Sequence, residues 1–144
     1  ALHLDRFLPP TPVRTLVDAE GESLGGLLPA LDAAAATGGL QRAPTGLLEE
    51  HHALFERMIP KMLEAARSHA AVRMSSLKRA AHKEAEERLL SEAARLRSLR
   101  AVNPAVTEGE IASAETRARA VMEHVTAAEL RLDAVRLVMM GDPG

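Results

Sequence analysis

The 144-residue chain has no cysteine, no tryptophan and no tyrosine, and only two phenylalanines. Without cysteine there can be no disulfide framework, no thiolate nucleophile and no cysteine-ligated zinc. Two Phe residues cannot form the aromatic platform on which single-stranded bases stack. Neither charge dominates: 18 Lys and Arg face 20 Asp and Glu, for a net charge of -2. That balance argues against a nucleic-acid-binding tail. No run is long and apolar enough to cross a bilayer. The nearest, "LLPALDAAAA", is broken by Pro29 and Asp32. No basic stretch leads into an apolar one at the N-terminus, so no signal peptide is read, and the expected location is cytoplasmic. There is also no initiating Met, and "ALHLDRFLPP" reads as an internal stretch of a longer polypeptide.

What is present is apolar and aliphatic. Hydrophobic residues make up 47% of the chain, so its core must be built from Leu, Val, Met and Ala. At this length the chain fits one domain with a modest core.

The expected layout over residues 1–144 has four parts. Residues 1–26 read as strands. Leu2, Leu4 and Phe7 are set among polar residues over 2–8 as in a short strand, and "VRTLVD" at 13–18 is β-branched and apolar, followed by a turn at "DAEG". Residues 27–46 are rich in Gly, Ala, Thr and Pro. They read as a mobile linker, with a short helix at 27–36. Residues 47–130 read as a helical hairpin. From Met62 to Val102 there is neither Gly nor Pro, which predicts about 60 Å of helix at 1.5 Å per residue. Pro60 marks either a first-turn position or a kink. Residues 131–144 read as a terminal strand and tail, with the strand over about 133–140.

The hairpin follows from local rules. Leu63, Ala66, Ala70, Met74, Leu77, Ala81, Ala85 and Leu89 recur at three- or four-residue spacing, and Leu96 and Leu99 continue the stripe. Asn103 precedes Pro104 and is thereby pushed out of the α region, which stops the first helix. Thr107 and Glu110 form a T-x-x-E capping box that starts the second. Ile111, Ala114, Ala118, Val121, Val125 and Ala128 then repeat at heptad spacing. So short a connection makes the helices antiparallel neighbours. Ile111 is expected near Leu96 and Leu99, with Leu99 in a buried site, and Ala128 near Ala81. The second helix is the shorter, so the N-terminal half of the first must pack elsewhere, and the strands are the expected surface. The fold class is therefore α+β and predominantly helical: a long antiparallel two-helix coiled coil packed on a small, incomplete β-sheet.

No catalytic pattern accompanies this frame. His51, His52 and Glu56 include a helical His-x3-Glu pair able to bind a metal. The plainer reading is two exposed histidines on a polar face, and no metal site is expected. No Gly-rich loop precedes a Lys and Ser/Thr, so no phosphate cradle is read. Arg95, Arg97 and Arg100 are expected to be solvated or internally paired. No cofactor is implied, and the isolated chain is expected not to hydrolyse ATP. On residues alone, a free-standing helical interaction or dimerisation module is an alternative.

"RFLPPTPVRTLVDAEG", then "LRAVNP" before a capped helix, then "RLDAVRLVMM", occur in that order. This resembles the C-terminal end of the bacterial RNA polymerase recycling factors, the RapA family of SWI/SNF-type ATPases. The resemblance covers residues 2–21 and about 78–140, and is loose over 25–60. It implies an α+β domain with paired long helices, which favours the strand at 133–140. It also implies a non-catalytic accessory domain of a parent chain that uses ATP to move on DNA and to release RNA polymerase. The partners implied are the rest of that parent and, through it, RNA polymerase. A second copy of the chain is expected on an exposed sheet edge. The parent's ATPase motifs lie upstream, so none of their residues carries over.

Overall fold

A computed structural model describes residues 2–141 of the chain. Its α-helices, in chain order, are α1 (Leu28–Ala36), α2 (Gly46–Glu50), α3 (His52–Arg100) and α4 (Glu108–Ala127). α3 dominates: 49 residues, or about 74 Å at 1.5 Å per residue. Pro60 lies inside it. It removes one backbone donor without ending the helix.

α4 lies antiparallel against the C-terminal half of α3. Arg100 pairs with Glu108 and Arg97 with Glu115, and the Lys78 ammonium donates to the Ala128 carbonyl at 2.9 Å. As one number climbs the other falls, which defines the register. The seam is narrow because it is built of small residues. Ala81, Ala85, Ala93 and Ala118 are buried, together with Ile111, Val121 and Val125. Alanine brings two helix backbones close at no cost in side-chain entropy.

The connection uses Asn103 twice. Its amide donates to the Leu99 carbonyl at 2.8 Å, and its side-chain oxygen accepts from the Ala105 amide at 3.0 Å. A local side chain thereby satisfies backbone that the helix has released. α4 then opens on a complete capping box. The Glu110 amide donates to the Thr107 hydroxyl at 3.2 Å, and the Glu110 carboxylate accepts from the Thr107 amide at 2.8 Å. The Thr107 backbone N–H, and then its hydroxyl, hold the Glu110 carboxyl below the ordinary glutamate range.

Thr107→Ala should therefore cost about 1 kcal/mol at neutral pH. A depressed folded-state pKa means that the ionised contribution is complete above the ordinary carboxylate range. It fades as pH falls through the depressed value. Thr107→Ala keeps the backbone donor and removes the hydroxyl, so only the hydroxyl's bond to the carboxylate should make the gap to wild type narrow in acid. Denaturant midpoints at the two pH values check this, and an unchanged midpoint at neutral pH would reject the capping account.

The expected sheet does not form. Among the described residues there is no β-strand, only one antiparallel bridge between Val17 and Ser23. The fold is α-helical with irregular covering segments, not α+β, and each strand expectation fails for its own reason. Over residues 2–8, His3 adopts a left-handed conformation (φ 49°) and Leu4–Arg6 form a 3-10 turn. The turn places Leu4 and Leu8 beside Phe7 against Ala81, Ala85, Val121 and Val125. Leu4, Phe7 and Leu8 stand at i, i+3, i+4, a helical-turn spacing that outweighs the alternation of Leu2 with Leu4.

Residues 13–18 turn back on themselves instead of pairing with distant segments. The Leu24 amide donates to the Leu16 carbonyl at 2.8 Å, and the Asp18 carboxylate accepts from the Glu20 and Glu22 amides. Gly21 closes this turn with φ +87°, and a Cβ there would stand 2.9 Å from that of Ala65 in α3. Glycine is needed both for the dihedral and for the close approach.

Residues 128–141 leave α4 in extended conformation at Ala128 (φ -61°, ψ 138°) and join no ladder. The terminal strand expected at 133–140 is thus absent, and the last three residues of the expected tail, 142–144, lie outside the described residues. The free half of α3 is met not by a sheet but by the turn at 18–21. There the His69 ring nitrogen lies 3.3 Å from the Gly21 carbonyl oxygen.

Candidate interaction surface

The residues singled out in the sequence gather around the hairpin, at unequal depth. Ile111, Val121 and Val125 are buried, while Leu89 and Leu96 are half-buried on α3. Asn103, Pro104, Thr107 and Glu110 are exposed at the hairpin's tip. Leu99 departs from expectation. It retains 36% of its surface, although Ile111 is buried between the α4 partners of Arg97 and Arg100. Its truncation empties no buried site.

The arginines are engaged locally. Arg95 is bidentate to Glu92 at 2.9 Å, which lowers the Glu92 carboxyl from its ordinary value, first through the hydrogen bonds and then through charge. Arg97 and Arg100 reach across to α4. Exposed pairs of this kind contribute about 0–1 kcal/mol each. They act on register more than on stability.

His51 turns its ring edge-on to Phe55, with centroids 6.4 Å apart. His52 lies 3.5 Å from Glu56, both largely exposed. The two histidines thus face different partners. Among the described residues no three His, Asp or Glu side chains gather as a metal site would need. No helix there is long and apolar enough to cross a membrane.

Several organising residues escaped the sequence reading. Phe55 is buried, and its being one of only two Phe residues was the available signal; Phe7, read into a strand, is buried at the end of a 3-10 turn instead. Ala93 is fully enclosed, four residues after Leu89 and three before Leu96, and so continues the spacing of the stripe. Arg14 donates to both Asp32 oxygens, at 2.7 and 2.9 Å, and ties residues 13–18 to α1. Hydrogen bonding from Arg14 holds the Asp32 carboxyl below its usual range. Burial opposes this, and the charges of Arg14 and, last, Arg136 add to it. Sequence spacing carries no sign of the Arg14–Asp32 contact.

Exposed apolar side chains occur along the chain, Val102 at the hairpin's tip among them, with a group in the terminal segment. In the terminal segment Leu132, Val135, Met139 and Met140 are 69, 57, 54 and 89% exposed. On α3, Val72 stands beside a shallow groove formed with residues 12–16 and is also exposed.

Fold and surface together define the class: an α-helical hairpin domain that presents apolar and charged side chains outward. The chain belongs to the RNA polymerase recycling family, whose C-terminal region it matches over residues 1–140. It is similar to the RNA polymerase-associated protein RapA of Cronobacter sakazakii, with 35% identity over 144 residues covering 96% of this chain and 14% of that protein. The proteins of the same name from Yersinia pestis and Yersinia pseudotuberculosis are each 34% identical over 139 residues, with the same coverage. The chain thus spans about one seventh of the length of these relatives, 14% in each case.

Proposed function

We propose that these residues act as a non-catalytic C-terminal accessory domain of an RNA polymerase-associated, ATP-dependent recycling factor, and that they work by protein contact. The observation that carries this reading is the match to the family's C-terminal region across residues 1–140, with relatives named for association with RNA polymerase. The geometry supports it. Arg97 and Arg100 are engaged in ion pairs across the hairpin, while apolar side chains such as Leu132, Val135 and Met140 stand exposed for contact. ATP chemistry needs a phosphate-binding loop, and the sequence has none, so catalysis belongs to the rest of the longer protein.

Two measurements test this. The 144-residue chain should show no ATP turnover above blank, whereas the longer protein should hydrolyse ATP and co-purify with RNA polymerase. Turnover by the short chain that scales with its concentration, or a longer protein that fails to associate with the polymerase, would overturn the reading.

A further inference from the structure

The exposed surface is larger than that of a compact domain of this mass. A compact monomer of 15.4 kDa exposes about 7,200 Å². This chain exposes 11088 Å², about one and a half times as much. The elongated, 49-residue α3 accounts for part of the excess, and the extended terminal segment for another part. Four large apolar side chains, Leu132, Val135, Met139 and Met140, lie more than half exposed within nine residues.

The main chain there is unpaired with other protein backbone. Among the described residues, 129–141 make no backbone–backbone hydrogen bond. An extended, apolar stretch with a free main chain is a template for pairing with another segment. Lys78 anchors the start of this stretch through the Ala128 carbonyl at 2.9 Å.

We propose that residues 129–140 are an intramolecular docking segment, covered in the longer protein by polypeptide that precedes these 144 residues, through apolar contact and main-chain hydrogen bonds. The choice of occupant follows from length. Matched relatives are about seven times as long, and the matched region is the family's C-terminal one. The unshown polypeptide is therefore large, lies upstream in the relatives, and is present at the effective concentration of a covalent tether. This inference rests on the accessory-domain reading given above.

The test uses the longer protein. A photo-crosslinking amino acid is placed at Val135 and, separately, at Met140, and crosslinked peptides are mapped from the monomer fraction. Hydrogen exchange of peptide 129–140 is followed in parallel. Crosslinks within one chain to residues upstream of Ala1 are expected, with exchange slowed by about tenfold or more relative to the free peptide. The Val135→Asp/Met139→Asp double variant should lose that protection while α3 and α4 keep theirs. Crosslinks to a second copy or to RNA polymerase, or exchange as fast as in the free peptide, would each overturn the proposal. Polymerase co-purification is scored separately. If it persists while upstream crosslinks are absent, the docking inference fails and the accessory-domain reading stands.

Discussion

Phe7→Ala should lower the unfolding free energy by about 3–5 kcal/mol, the cost of removing a buried aromatic ring. Phe7 is 8% exposed and rests on Ala81, Ala85, Val121 and Val125. The alanines have no rotamer with which to fill the space, whereas Leu4, Leu8, Leu89 and Met122, packed against the same cluster, can move in part. How far they close the cavity sets where in that range the cost falls. The loss should appear in urea as a lower midpoint with an unchanged slope. A smaller slope would mean that residues 2–8 detach while the hairpin stands alone. An unchanged midpoint would remove Phe7 from the core altogether.

Ala85→Leu tests the same packing by addition. Ala85 and Ala118 are both completely buried, on the two facing helices. Three extra carbons at Ala85 can be accommodated only by moving the helices apart or by leaving staggered rotamers. Overpacking of this kind costs about 1–3 kcal/mol. Ala94, exposed on the same helix, is the control. Ala94→Leu should fall within about 0.5 kcal/mol of wild type. Thermal melts of the two variants side by side decide the matter, and equal melting temperatures would mean that the seam is looser than its burial indicates.

The helical half of the fold was legible because its determinants are local. Absence of Gly and Pro from Met62 to Val102, Asn103 before Pro104, and the Thr107–Glu110 box each act within one or two turns. Hydrogen bonds that close over three or four residues can be read from three or four residues. The seam on α4 has the same origin, since a helix of fixed pitch converts heptad spacing into one face. The hairpin's register then follows from the shortness of its connection. For the candidate surface, the sequence showed the apolar content of "LRLDAVRLVMM" but not whether it would be covered.

Leu99 shows where local reasoning stops. Its spacing continues the stripe, yet how far the second helix covers that stripe is a property of two chain segments 18 residues apart, joined by the Arg97–Glu115 pair.

Residues 1–26 and 128–141 show the same limit more strongly. Alternating or β-branched sequence states that a segment can be a strand, not that a partner strand lies within reach. By itself the sequence determined the two long helices, their capped turn and their antiparallel pairing. Tertiary structure alone decided that Phe7 enters the seam by a 3-10 turn, that Arg14 holds Asp32, and that residues 129–141 stay extended and unpaired. The physical reason is the range of the interactions. Helix hydrogen bonds link near neighbours. Burial of a ring and pairing of a main chain depend on whatever surface folding brings alongside.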